Sequence, residues 1–314
     1  GLYLFNCQAP DAGNMEILIE YGTKYQKDKF LKPLLEGKIR SCFSMTEPNH
    51  AGSNPVFMST TAIKKNDSYL INGRKWYTSS AEGSSFAIVM AISNPNEKNK
   101  YLTASQIIVP TDLKGFNLIR KIPVMGEEGE GYFSHSEIEY NNVTVPKENL
   151  LGKEGFGFKI AQSRLGPGRI HHCMRWIGIC ERSFDMMCER AASRELSPGN
   201  FLGQKQLIHK MIAERRVEIN AAKLLVMDVG RKIEKQGSKE SRFDISMIKF
   251  YCANILKRVI DDAIQIHGGL GMSDDIILSH FYRHERAARI YDGADEVHIT
   301  NVAKGVLSKY GLKI

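Results

Sequence analysis

The sequence predicts an α+β protein in three successive parts: an N-terminal helical part over residues 1–41, a central antiparallel β-barrel or sandwich over 42–150, and a C-terminal four-helix bundle over 151–314. Three observations predict it. Residues 14–36 carry apolar side chains at helical spacing. From Arg40 to about Val145 the chain breaks into short β-rich runs separated by Asn, Gly, Pro and Asp turns. Beyond "LLGKEGFGF" it reads as long helical stretches.

Taken in order, "NMEILIEYGTKYQKDKFLKPLLE" predicts two short helices around Gly22, with Pro33 tolerated in a first turn. The runs "SYLING", "SSFAIVMAI", "ASQIIVP", "FNLIRKI" and "SEIEYNNVTVP" predict strands, and Asn72-Gly73 within "INGRKWYTSS" predicts a hairpin turn. Four helices follow over roughly 156–194, 202–236, 241–268 and 294–309, broken at "SPGN", "KQGSKES" and "HGGLGM". No internal repeat or low-complexity tract interrupts them.

Composition narrows the function classes. At 42% apolar and 25% charged, the 314 residues have an ordinary globular balance, and no apolar run approaches the roughly 18–20 residues needed to span a bilayer. The opening "GLYLFN" lacks the basic, apolar and small-residue order of a signal peptide. Six cysteines occur without a CxxC pair, which points away from a zinc ribbon or disulfide framework and toward a reducing compartment. The net charge of +8 lies in the C-terminal part, since residues 1–150 hold 16 basic and 16 acidic residues and 151–314 hold 27 and 19. Without a basic run interleaved with aromatics, that excess points to a phosphorylated small ligand or an acidic protein partner rather than nucleic acid.

Five segments are candidates for chemistry. "SCFSMTEPNHAGSN" (41–54) offers Thr46 and backbone N–H groups to a polar heterocycle, or is simply a Pro/Gly/Asn turn. Trp76 and Tyr77 either face a ligand or fill the sheet core. "QIHGGLGM" (265–272) lets another group approach the backbone closely, or caps a helix; it does not follow a strand and so supports no Rossmann site. In "RLGPGRIHHCMR", the adjacent His171 and His172 point in different directions and chelate poorly, which leaves Arg164, Arg169 and Arg175 as anion contacts or bundle ion pairs. "RIYDGADEVHIT" crowds Asp292, Asp295, Glu296 and His298 around Gly293. A di-iron bundle needs two Glu-x-x-His elements and two further carboxylates. Asp295-x-x-His298 is one partial match, and Glu47-x-x-His50 falls in a Pro-containing turn, so no metal is expected.

Taken together and in order, "SMTEP…AGS", "INGRKWYTSS", "QIHGGLGM" and "IYDGADEVH" resemble the TEP-x-AGS, NG-x-K-x-W-I-T, Q-x-x-GG-x-G and Y-E-G-T segments of the acyl-CoA dehydrogenase family, across nearly the whole chain. "LFNCQAPDAGNMEILIEYG" and "SRLGPGRIHHCMR" are similar to the eukaryotic subgroup that is sometimes fused behind a phosphotransferase-like kinase domain; against that pattern the chain looks N-terminally truncated.

The resemblance implies FAD. By motif position it places Phe43, Met45, Thr46, Tyr77 and Ser79 at the flavin, and Arg194, Gln265, Gly268 and Gly269 at the cofactor of a neighbouring subunit, hence a homodimer or homotetramer. It makes Asp292 the base that takes the α-proton of an acyl-CoA, with its backbone N–H as an oxyanion contact, and Ser53, Arg169, Tyr291 and Gly293 the residues beside the substrate. Asp295 and Glu296 would start the last helix, where the helix dipole favours negative charge. The implied activity is α,β-dehydrogenation to the trans-2-enoyl-CoA in fatty-acid or branched-chain catabolism. Electrons would pass to electron-transferring flavoprotein, in the mitochondrial matrix or, failing that, the peroxisome. The alternatives are an oxidase of the same superfamily similar to nitroalkane oxidase, which uses an Asp base, and a non-catalytic paralogue with a binding role. The sequence departs from the pattern at Asp292 for Glu, at Tyr77 for Trp, at Leu196-Ser197 for the Thr-Phe of R-x-T-F-G, and by one extra residue in "EPNHAGS".

Overall fold

The computed structural model describes Asn6 and residues 8–312. Leu4, Phe5 and Cys7 of the "LFNCQAPD" segment, and Lys313 and Ile314 of the terminal "LKI", lie outside the described residues. The chain forms two compact units, Gly1–Gly168 and Arg169–Ile314.

In the first unit, helix α1 (Asp11–Tyr21) ends at Gly22, and a second helical segment runs from Lys24–Gln26 through a π turn at Lys27–Leu31 to Lys32–Leu35. Thr23 starts that segment with a reciprocal capping box to Gln26, which ties off two N–H groups that a helix start leaves without partners. The strands are β1 (Ser41–Ser44), β2 (Thr61–Lys65), β3 (Ser68–Ser79), β4 (Phe86–Ile92), β5 (Ala104–Pro110), β6 (Phe116–Lys121), β7 (His135–Pro146) and β8 (Leu150–Leu151). They form one eight-stranded sheet in the order β6-β7-β3-β2-β4-β5-β8, with β1 also paired to β4. Most neighbours are antiparallel, as the sequence predicts, but β1 and β2 each meet β4 in parallel.

Strand β4 shows why the runs are so apolar. Its side chains alternate between two buried faces: Phe86 and Ile88 pack with Ile17, Leu18, Phe30 and Leu34 of the N-terminal helices, whereas Ala87, Val89 and Ala91 pack with Tyr69, Ile71 and Ile138 of the sheet. A strand covered on both sides has no reason to alternate with polar residues. Helix α1 is also bonded to the start of β1. Asp11 accepts from the backbone N–H (2.8 Å) and hydroxyl (2.6 Å) of Ser41, and Asn14 donates to the Cys42 carbonyl (3.1 Å).

One local prediction fails. Asn72-Gly73 does not turn a hairpin; both residues lie inside β3, where the pairing with β7 shifts between Ile71 and Gly73. The reversal comes earlier, at Asn66-Asp67, where Asn66 adopts φ 51°. The glycine is needed for a different reason, because a Cβ at Gly73 would lie 2.6 Å from the Thr60 Cα.

In the second unit, the long helices are α2 (Gly157–Ser193, which begins in the first unit), α3 (Gln206–Glu240, interrupted at Gly237 with φ 82°), α4 (Arg242–His267) and, after the shorter α5 (Leu278–Glu285), α6 (Asp295–Ser308). Stripes at helical spacing build one core: Cys173, Trp176, Cys180 and Met187 from α2, Ile219, Ala222, Val226 and Val229 from α3, and Ile245, Ile248, Cys252, Val259 and Ala263 from α4. No helix among the described residues is long and apolar enough to cross a membrane.

Candidate active site

The Asp292 turn belongs to the helical unit. Between the short 3-10 segment Arg286–Arg289 and α6, Asp292 and Gly293 take left-handed φ values of 54° and 100° in succession. That is unremarkable for Gly293 but uncommon for Asp292, and such residues cluster where the surroundings over-determine the backbone. Here they do. Arg169 Nε donates to the Asp292 carbonyl at 2.8 Å, His298 Nε2 meets the same oxygen at 3.2 Å, and Lys249 Nζ donates to the Gly293 carbonyl at 2.5 Å. A Cβ on Gly293 would stand 2.7 Å from His298 Nε2, so the imidazole occupies the space the missing side chain leaves.

The tautomer of His298 follows from its partners. A carbonyl only accepts, so Nε2 carries the proton, and Nδ1 accepts from the Ser246 hydroxyl at 3.2 Å. Burial, helped by the Arg169 and Lys249 charges, lowers the His298 pKa to about 4 and keeps the ring neutral. Burial likewise pushes Lys249 down to about 8, against the pull of Asp295 and Asp292. Arg169 is also lowered by burial, with Asp292 opposing.

The Asp292 side chain lies beside α2. His172 Nε2 is 3.1 Å from Asp292 Oδ2, and its ring stacks on Trp176 at a centroid distance of 5.7 Å and an interplanar angle of 16°. Trp176 Nε1 donates to Glu285 Oε2 (3.0 Å) and to the Tyr291 hydroxyl (3.2 Å), which also accepts from Arg175 at 2.9 Å; Arg175 pairs in turn with Glu285. Burial raises the Tyr291 pKa far above its ordinary value, so the phenol stays protonated.

Asp292 does not cap α6. The cap residue is Ala294, which makes no side-chain cap bond. Asp295 and Glu296 do occupy the first turn, but Asp295 does more than complement a dipole. It is buried, and it accepts from Arg289 (2.6 Å) and Asn254 (2.9 Å). Among the described residues no group of three or more His, Cys, Asp or Glu side chains could hold a metal ion.

In the sheet unit, the two predicted flavin segments meet. Trp76 N–H donates to the Thr46 carbonyl (3.1 Å), the Thr46 hydroxyl donates to the Trp76 carbonyl (2.9 Å), and the Ser44 and Thr78 hydroxyls are 3.0 Å apart. The pairing of β3 with β7 shifts again between Lys75 and Thr78, and within that bulge Tyr77 takes φ 49° and stays 48% exposed. Neither Trp76, at intermediate exposure, nor Tyr77 is sheet core. Ser79 Oγ lies 2.7 Å from His135 Nδ1, and the Arg164 guanidinium stacks on Phe43 at 4.1 Å. An exposed aromatic face beside hydroxyls, held by a bulged strand, fits a planar heteroaromatic group such as a flavin.

A buried ion pair braces this region. Lys75 donates to the Met45 carbonyl (2.8 Å) and to Glu47 (2.9 Å), and Glu47 also accepts the backbone N–H groups of Ser59 (2.6 Å) and Thr60 (2.9 Å). Burial alone would raise the Glu47 carboxyl; Lys75 and these bonds outweigh it and hold it below the usual range.

Four further predicted residues belong to the helical unit and one to the sheet unit. Arg194, just past α2, is exposed, as is Gln265. Gly268 (φ 62°) and Gly269 face open space, since a Cβ on either would meet nothing within 4 Å. Ser53 is exposed in the loop before β2. Sequence reasoning missed His172 and Lys249 as members of the Asp292 cluster. The signals were present: Arg169, His172 and Trp176 follow i, i+3, i+7 spacing, and Lys249 falls on the apolar stripe of α4 between Ile245 and Cys252.

Comparisons with known proteins agree on both units. Residues 42–143 match the family profile described as acyl-CoA dehydrogenase, middle domain, and residues 155–307 match acyl-CoA dehydrogenase, C-terminal domain. The probable acyl-CoA dehydrogenase FadE2 of Mycobacterium tuberculosis is 45% identical over 306 residues, 97% of this chain and 74% of the relative. Acyl-CoA dehydrogenase family member 11 of Gallus gallus is 44% identical over 313 residues, which is 99% of this chain but only 40% of the relative. The similarity is thus as great to a bacterial relative as to a eukaryotic one. The solved structure of a putative acyl-CoA dehydrogenase from Mycobacterium abscessus superposes with a TM-score of 0.95 at 40% identity, covering 98% of this chain and 76% of that one.

Proposed function

Because this chain belongs to the acyl-CoA dehydrogenase family, we propose that it desaturates an acyl-CoA thioester between the α and β carbons, with Asp292 taking the α-proton. The observation that carries this reading is the Asp292 turn. Its left-handed backbone is fixed by Arg169, His298 and Lys249 through main-chain carbonyls, so that a carboxylate is presented from a position the chain would not adopt unaided.

FAD, when bound, supplies the acceptor for the β-hydride. Tyr77 and Phe43 offer aromatic surface to its ring, and Thr46, Ser79 and the backbone around Met45 offer hydrogen bonds; the exposed Arg194, Gln265, Gly268 and Gly269 would reach the cofactor of a neighbouring subunit in a homodimer or homotetramer. The Asp292 carboxylate holds the α-proton once removed. The Asp292 backbone N–H would donate to the thioester oxygen, where a donor gains strength as enolate charge develops. Arg169 fixes the carbonyl of that residue, and by the resemblance Tyr291 and Gly293, and Ser53, would be the residues beside the substrate. An Asp reaches one methylene less far than a Glu, which requires the α carbon to sit close to the turn.

The product is the trans-2-enoyl-CoA. Electrons pass to electron-transferring flavoprotein, and the setting is fatty-acid or branched-chain catabolism in the mitochondrial matrix. Anaerobic titration of the purified flavoprotein with acyl-CoAs of graded length and branching tests the reading. Bleaching of the flavin by one class supports it and names the substrate, and no bleaching by any acyl-CoA overturns it. Rapid reoxidation of the reduced protein by O₂ would favour an oxidase of the same superfamily.

A further inference from the structure

We propose that residues 48–58 form a strap folded against Thr46 and that His50 latches it through Ser59, which makes His50 a positioning residue for acyl-CoA binding. This role rests on the dehydrogenase reading above. It falls in the segment where "EPNHAGS" departs from the family pattern by one residue.

The strap links β1 to β2, and both of its stems are fixed. At one end Glu47 is buried and bonded to Lys75 at 2.9 Å; at the other, Met58 is buried with Met90, Ala104 and Ala161. The stems meet, because the Glu47 carboxylate accepts the backbone N–H groups of Ser59 (2.6 Å) and Thr60 (2.9 Å). Surface loops whose ends close in this way are compact and frequently functional. Between the stems the chain turns twice: the Asn54 N–H donates to the Ala51 carbonyl (2.9 Å) and the Phe57 N–H to the Asn54 carbonyl (3.1 Å). Residues 51–54 are exposed, yet the apex returns to the sheet. A Cβ on Gly52 would stand 3.3 Å from the Thr46 methyl carbon, and Ser53 follows directly.

His50 adds a cross-link above that base. Its Nε2 lies 2.5 Å from Ser59 Oγ and 3.6 Å from Glu47 Oε2. A carboxylate oxygen only accepts, which places the imidazole proton on Nε2, facing these two oxygens. The Phe57 ring meets the imidazole edge-on, at a centroid distance of 4.5 Å and an angle of 71°. The Glu47 bonds close the base without His50, whereas the imidazole ties the outgoing arm of the strap to Phe57 and Ser59 of the returning arm. A loop that is ordered before a ligand arrives spares the ligand that ordering cost. Without the latch, an acyl-CoA has to order the strap as it binds, so the loss falls on affinity rather than on the rate of the bound complex.

The test uses the purified holoenzyme under anaerobic conditions, with butyryl-, octanoyl- and palmitoyl-CoA as probes. His50→Ala should retain FAD and raise the acyl-CoA concentration for half-maximal bleaching about 3- to 10-fold, the range one hydrogen bond spans, while the limiting rate changes less than about 2-fold. Ser59→Ala cuts the same link from the other side, so the double variant should be no weaker than the worse single one. His50→Gln presents an N–H to Ser59 and should recover most of the affinity. Independently of turnover, the Asn54 and Phe57 amides should exchange with deuterium faster in His50→Ala than in the wild type.

An unchanged half-maximal concentration in His50→Ala would overturn the role in binding, and unchanged amide exchange would overturn the latch; neither touches the dehydrogenase reading. Additive losses in the double variant would also overturn the latch, since two unlinked side chains would then be acting. Failure of all three acyl-CoAs to bleach the wild-type flavin is a separate result: it overturns the dehydrogenase reading, and the strap's role in substrate binding falls with it.

Discussion

Two carboxylates, Glu47 in the sheet unit and Asp292 in the helical unit, each lie near a buried lysine, and they are treated in opposite ways. Lys75 donates directly to Glu47, whose oxygens also accept two backbone N–H groups. Lys249 donates instead to the Gly293 carbonyl, and Arg169 to the Asp292 carbonyl. In the first case the cation neutralises the carboxylate and the result is a brace. In the second the cations fix the main chain, and the carboxylate is met by an imidazole with a side-chain exposure of 15%. The charged neighbours of Glu47 bond its carboxylate, whereas Lys249 and Arg169 bond main-chain carbonyls at the proposed base.

The largest test of this contrast is Asp292→Asn. The amide keeps the size of the side chain and loses its basicity, so the variant should bind FAD normally and lose about 10²- to 10⁴-fold in the rate of flavin bleaching by acyl-CoA, measured by anaerobic stopped flow. Glu47→Gln should change that rate little. In the sheet unit the sensitive change is Lys75→Met, which leaves Glu47 buried without its counter-charge. It should cost about 3–5 kcal/mol in denaturant unfolding, and adding Glu47→Gln should recover part of the loss.

Much of the contrast was hidden in the sequence, for identifiable reasons. The helices were legible because their apolar stripes persist for many turns: the four predicted spans agree with α2, α3, α4 and α6 to within a few residues at each end. Asn72-Gly73 misled because the same dipeptide serves a turn and a bulge, and only the approach of Thr60 to Gly73 decides between them. Arg169 was a candidate from its setting, but that it bonds a carbonyl rather than an anion depends on a partner 123 positions away. As one of two adjacent histidines, His172 chelates poorly and gives no metal signal. The relevant pattern was its spacing from Arg169 and Trp176, which gains meaning only once Asp292 is placed against that face.

A smaller effect comes from pH. The folded-state pKa of His298 is depressed to about 4, below its ordinary value of 6.5. Between these values the unfolded chain binds a proton that the folded protein excludes, so unfolding becomes easier as pH falls through the window. About 3 kcal/mol of stability should be lost from this one site between pH 6.5 and 4, and none of it above pH 6.5. Comparing the pH dependence of unfolding in the wild type and in His298→Gln isolates the contribution. A stability difference that stayed constant across the window would mean that the imidazole is not kept neutral by the turn.

The smallest change that should still separate the two regions is Gly293→Ala. With φ at 100° an alanine is strained, costing roughly 1–3 kcal/mol, and its Cβ would meet His298 Nε2 at 2.7 Å. Two relaxations are open to it. If the imidazole retreats, the Asp292 carbonyl loses one donor but keeps Arg169, and bleaching should slow only a few-fold. If the turn itself moves, the carboxylate moves with it, and the rate should fall about 100-fold while stability changes by the same 1–3 kcal/mol. Measuring bleaching and unfolding on the one variant distinguishes them, because only the second relaxation displaces the proposed base.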